Sequence, residues 1–140
     1  MSRNAALAAA LTAAPFLWSL APLVRPDLTQ LTPPMFAGRV LAVSWGAAVL
    51  FFSSGALAAM AVQARAGAAL TVLAVLPGLF AFLAVPDASD NSLLLLAAAF
   101  LGLLMTEFSL TRAGLIPPAW FRFRLAVTLA ACLALLLPLF

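Results

Sequence analysis

Apolar residues run along this chain in five stretches, each close to the length of a membrane-spanning helix, and most of the charged residues fall between them. A helix needs about 20 mostly apolar residues to cross about 30 Å of hydrocarbon. The first stretch, residues 5–24, meets that length, with Pro15 and Pro22 placed to bend or end it. Its opening, MSRN followed by alanines and leucines, imitates a signal peptide, but the expectation is a retained span. A polar connection follows, RPDLTQLTPPMFAGR, rich in proline and read as an exposed loop.

The second stretch covers residues 40–62, and only Gln63, Ala64 and Arg65 separate it from the third, residues 66–85. So short a link makes the third helix turn straight back and pack antiparallel. Pro77-Gly78 in its middle predicts a kink. The loop PDASDN offers Asp90 or Asn91 as the N-cap of the fourth stretch, residues 92–110. After a turn through RAGLIPPAW, the fifth covers residues 121–140. The predicted fold is all-α: a polytopic integral membrane protein of five transmembrane helices in a single domain, residues 1–140.

Composition supports this reading. An ordinary soluble chain is about a quarter charged; this one is 66% hydrophobic and 8% charged, too little polar surface to clothe a water-soluble globule. Its net charge of +3 comes from scattered arginines with no basic run to track a phosphate backbone, so nucleic acid is not an expected partner. The arginines do give an orientation. Arg3, Arg65, Arg112, Arg122 and Arg124 fall on one side of the predicted topology against Arg25 and Arg39 on the other, which places the N-terminus inside and the C-terminus outside. An alanine- and leucine-rich, lysine-free composition suits a bacterial protein of the inner (cytoplasmic) membrane.

The missing residue types close most catalytic chemistry. Without histidine, lysine or tyrosine, and with Cys132 as the one cysteine, the chain cannot build a Ser-His-Asp triad, a Schiff-base lysine or a Cys/His zinc site. No cofactor or metal is expected, and Cys132, in an apolar run, reads as a small buried hydrophobe. An intramembrane enzyme would have to use Glu107, Ser53 or Ser54 without a histidine.

Charge and aromatic residues concentrate in TEFSLTRAGLIPPAWFRFRL, residues 106–125. Glu107 is the one carboxylate inside or at the edge of a span, and an ionisable group there is a default functional candidate. It lies about 22 Å along the helix from Ser92, towards an interface and away from the bilayer centre. Arg112, five positions on, is about 140° around the axis and a poor local partner. Arg122 and Arg124 point about 200° apart on a helix, so one can face the bundle and meet Glu107 while the other faces lipid phosphates. Trp120 beside them fits an interfacial belt position. The structural reading of Glu107, Arg112, Trp120, Arg122 and Arg124 is an ion-paired, lipid-anchored turn; the functional one is a proton or ligand site.

Small residues mark candidate packing faces. Gly46, Ser54, Gly55 and Ala59 lie in the second stretch, Gly78 in the third and Gly102 in the fourth. Gly55-x-x-x-Ala59, Ala74-x-x-x-Gly78 and Ala98-x-x-x-Gly102 are small-xxx-small patterns that let helix backbones approach. Packing within the bundle is the simpler expectation, and a partner subunit the sharper one.

The order of several short motifs resembles the DUF3429 family of uncharacterised membrane proteins, the transmembrane protein 69-like group. The matching residues are Pro15-Phe16, the run Trp45 to Gly55, Leu76-Pro77-Gly78-Leu79, Glu107, Pro118-Ala119-Trp120-Phe121 and Arg124. Phe52-Ser53-Ser54-Gly55 departs from the family's glycine segment, Ala58-Ala59 from its Trp-Gly, Glu107 from its aspartate and Phe121 from its tyrosine. The resemblance implies a membrane architecture and no reaction. The functional expectation is a non-catalytic accessory or assembly subunit, surrounded by membrane lipids and packed on other membrane subunits, with a respiratory or photosynthetic complex as the first candidate host. The alternative is a small transporter or channel using Glu107 with Arg122 or Arg124.

Overall fold

The computed structural model describes residues 3–27, 33–84 and 87–140; the side chains of residues 3–5 and 84 lie outside that description. Every regular element among the described residues is helical: α1 (Arg3–Ser19), α2 (Ala21–Val24), α3 (Gly38–Gln63), α4 (Ala68–Ala84), α5 (Asp90–Arg112) and α6 (Pro118–Leu136), with 3-10 turns at Pro34–Phe36 and Leu137–Leu139. Chains this apolar have little choice, since a helix satisfies its backbone polar groups without help from water. Among the described residues three helices are long and apolar enough to cross a membrane, Gly38–Gln63, Asp90–Arg112 and Pro118–Leu139; Ala6–Ser19 and Ala68–Leu83 are apolar but shorter.

The first stretch is interrupted where neither proline sits. Pro15 lies inside α1, and the break comes at Leu20, whose N–H bonds the Leu17 carbonyl at 3.2 Å in a tightened last turn. Pro22 explains the position: its ring clashes with the carbonyl four residues back in a continuous helix, but it is tolerated in the first turn of α2. Pro77 is likewise contained within α4, which runs unbroken through it. The end of the third stretch at Val85 and part of the first loop, residues 28–32, lie outside the described residues.

Helix ends are closed by identifiable devices. Ser89 caps α5, its Oγ accepting from the Ser92 N–H at 3.3 Å, so the cap falls one residue before the expected Asp90, which instead opens the first turn. Asp87 accepts from the Ser89 hydroxyl at 2.8 Å and from the Ser92 hydroxyl, and these bonds hold its carboxyl below the usual aspartate range. At the other end of α5, Gly114 takes a left-handed φ of 71° and the Leu115 N–H reaches back to the Leu110 carbonyl at 3.0 Å, a Schellman closure. The same closure ends α3, but with Arg65 at φ 53° in the position that favours glycine.

α3 is the hub, packing on α1, α4, α5 and α6, while α5 also contacts α4 and α6, and α6 contacts α1. Phe16 and Phe100 meet edge to face, 5.9 Å between centroids, at a point where Gly46 brings α3 close; a Cβ there would lie 3.6 Å from Phe100 and 3.7 Å from Phe16. Gly78 does the same for α4, where a Cβ would lie 3.2 Å from Ser54 of α3. Arg39 ties one end of the bundle, joining Asp90 at 2.5 Å and the Pro138 carbonyl at 2.6 Å. The starts of α3 and α5 and the end of α6 therefore share that end, and the sequence 107–124 lies towards the other.

Candidate functional site

The turn from Ala113 to Pro117 folds the beginning of α6 back onto the last turns of α5. Pro118 suits the first helical turn, where its missing N–H costs nothing. Trp120 and Arg124 are four residues apart and therefore share a face of α6. That face meets Glu107. Arg124 Nε donates to Glu107 Oε1 at 2.8 Å, and Trp120 Nε1 donates to the same oxygen at 3.1 Å. Glu107 is 0% exposed and Arg124 1%, so the pair is enclosed within the bundle.

The pairing is incomplete in hydrogen-bond terms. Glu107 Oε2 and Arg124 Nη2 are buried with no hydrogen-bond partner among the described residues, as is Thr128 Oγ1 one turn further along α6. A buried pair of this kind returns little net stability over an apolar replacement, because desolvating both ions offsets most of their attraction. Removing one member is another matter, since it strands the other charge.

The remaining charged residues of the turn face outward. Arg122 is exposed, and Arg112 is exposed with its guanidinium 5.0 Å from the Phe108 ring centroid, which also contacts Phe121 at 5.6 Å. Of the two alternatives for Glu107, the structure selects Arg124. Trp120 is half-buried and its indole N–H is committed to Glu107. The signal for that was the four-residue spacing of Trp120 and Arg124 across a proline turn from Glu107.

Beside this pair a cleft of about 300 Å³ opens between α1, α3 and α6. Trp45, Phe52, Trp120 and Phe123 supply aromatic walls, Ala48 leaves the room, and Arg124 forms part of the lining. Trp45 is held in place by donating Nε1 to the Thr12 carbonyl at 2.9 Å. No motif or spacing marks this cleft, which depends on three helices far apart in the chain.

The small residues divide into two sets. Gly46, Ser54 and Gly78 pack between helices. Gly55, Ala59 and Gly102 do not: all three are exposed, and a Cβ at Gly55 or Gly102 would meet nothing within 4 Å. Packing inside the bundle is therefore corrected for this second set. Gly102 and Ala98 instead line a shallow groove of about 280 Å³ between α4 and α5. Of the two serines singled out in α3, Ser53 donates to the Val49 carbonyl at 2.6 Å, and Ser54 Oγ is buried against α4 with no partner among the described residues.

Comparison of the chain with protein families, characterised proteins and solved structures returns no match. Any functional reading therefore rests on the geometry just described.

Proposed function

We propose that this chain is a non-catalytic accessory or assembly subunit of a larger membrane complex, docking through the outward face of α3. The observation that carries the reading is the exposure of Gly55 and Ala59 on the outside of the bundle. Within lipid there is no hydrophobic drive to join helices, and small residues four apart serve close backbone approach. Here the chain's own helices do not use that approach, so another helix is the natural occupant. The outward arginines Arg112 and Arg122 would anchor the same subunit to anionic headgroups.

In this reading the chain crosses a bacterial inner membrane five times, N-terminus inside and C-terminus outside, with α1 plus α2 and the shorter α4 completing the set begun by the three long helices. Membership of the DUF3429 group belongs to the same proposal and rests on the motif order around Trp45, Pro77, Glu107 and Trp120. A photoreactive amino acid placed at Ala59 tests the docking face. Irradiation should give a discrete protein adduct, and one placed at Leu129, exposed on α6, should give lipid adducts. Lipid adducts alone at Ala59 would remove the proposal.

A second reading, transport, draws on the unpartnered Glu107 Oε2 and Arg124 Nη2, which leave the ion pair with unused bonding capacity. The arginine concerned would be Arg124. It requires that Glu107→Gln abolish ion or solute flux in proteoliposomes; unchanged flux rejects it.

A further inference from the structure

We infer that the outer face of the α5–α6 turn is a binding site for one anionic glycerophospholipid, with Arg112 and Arg122 taking its phosphate and the apolar surface beside them its acyl chains. The inference deepens the headgroup anchoring proposed above and rests on the chain lying in a bilayer. It does not use the docking face of α3.

The ion pairs single out these two arginines. The chain has four acids. Asp27 pairs with Arg25 at 2.9 Å, Asp90 with Arg39, and Glu107 with Arg124, while Asp87 is taken up by Ser89 and Ser92. No carboxylate remains for Arg112 and Arg122, and both are exposed. They also belong to one seam. The Arg112 guanidinium lies 5.0 Å from the Phe108 ring centroid, that ring lies 5.6 Å from the ring of Phe121, and Arg122 is the next residue. The ring contact steadies Arg112 without supplying an oxygen to its N–H donors.

The surface next to the arginines selects a lipid over a soluble anion. On α5, Phe108 and Met105 precede Arg112 by four and seven positions; on α6, Leu125 and Leu129 follow Arg122 by three and seven. Each arginine therefore heads a stripe along one helix face. All four apolar side chains are exposed, from 38% at Leu125 to 70% at Met105. Two apolar lanes that meet at a doubly basic head match a diacyl lipid, whereas free phosphate would leave both lanes uncovered. Charge then selects the headgroup. A choline would bring its own cation towards two uncompensated arginines, and a headgroup with net negative charge does not.

The test places a photoreactive amino acid at Leu125 of the full chain, in nanodiscs of equal parts phosphatidylglycerol and phosphatidylcholine at low ionic strength, and identifies the lipid adducts by mass spectrometry. A basic residue at a membrane surface is worth about fivefold in anionic lipid, so two should enrich phosphatidylglycerol roughly twentyfold. Adducts at Val72, exposed on α4 towards the same end of the bundle, should follow the bulk composition. Arg112→Gln and Arg122→Gln should each lower the enrichment at Leu125 about fivefold. Arg65→Gln, which removes the same charge from the α3–α4 turn, should leave it unchanged. Equal enrichment at Leu125 and Val72, or an equal fall with Arg65→Gln, would overturn the site while leaving general headgroup anchoring intact. Equal capture of the two lipids at both positions would overturn both, and the absence of lipid adducts at either position would remove the bilayer reading beneath them.

Discussion

Replacing Arg124 with methionine keeps most of the side chain's volume and removes only its charge and donors. The consequence follows from the burial of its partner. Glu107 is 0% exposed and receives two hydrogen bonds on Oε1, from Arg124 at 2.8 Å and Trp120 at 3.1 Å, with nothing on Oε2 among the described residues. Without Arg124, one indole N–H is left facing a carboxyl group shut away from water. Breaking a buried pair by removing one member costs about 3–5 kcal/mol, and at an effective dielectric of about 20 two charges 4 Å apart attract by about 4 kcal/mol, which agrees. Glu107→Leu should cost a similar amount by stranding the guanidinium. The double variant Glu107→Leu with Arg124→Met leaves no charge to strand, so it should recover most of the loss and fall near wild type. Reversible unfolding in mixed micelles, followed by far-UV circular dichroism, measures all four species as a double-mutant cycle. Additive single losses would refute the reasoning, as would an Arg124→Met penalty under about 1 kcal/mol, the size of a solvent-exposed pair.

Other expectations are smaller and independent. Arg65→Gly relieves a left-handed residue at φ 53° and should stabilise the chain by about 1 kcal/mol in the same unfolding assay; destabilisation would mean that the Arg65 side chain carries contacts of its own. Gly78→Ala places a Cβ 3.2 Å from Ser54 and should cost about 1–3 kcal/mol, whereas Gly55→Ala, with open space around it, should cost nothing. For Asp87 the sign follows from its lowered carboxyl pKa: the cap network is fully stabilising above the ordinary value of about 3.9 and is lost as pH falls through the lower folded value. Amide exchange at the start of α5 should therefore accelerate in that acid window, and Asp87→Asn should abolish the pH dependence.

The sequence made the helices legible because composition left no alternative: apolar runs of membrane length must pair their backbone internally, and each of those stretches is helical over most of its described length. Glu107 was legible for the same reason, as a lone acid in such a run. Its partner was not. Arg122 and Arg124 sit on opposite sides of one helix, and only the packing of α6 on α5 and α3 decides which turns inward. The faces of the small residues were equally hidden, since Gly46 and Gly55 occupy the same apolar run but opposite environments. The cap at Ser89 was missed for a local reason: Asp87, Ser89 and Ser92 form one hydrogen-bonded group, and the serine that bonds the backbone N–H is the one oriented by the other two.

Docking through α3 is tested most directly by native-size analysis, in a mild detergent, of the chain at endogenous abundance, with mass spectrometry of the proteins that migrate with it. The account predicts that the 14.5 kDa chain migrates within a far larger assembly of defined composition, and that Gly55→Leu releases it as a folded monomer. Migration of the wild-type chain alone, or an assembly unaffected by Gly55→Leu, would contradict it.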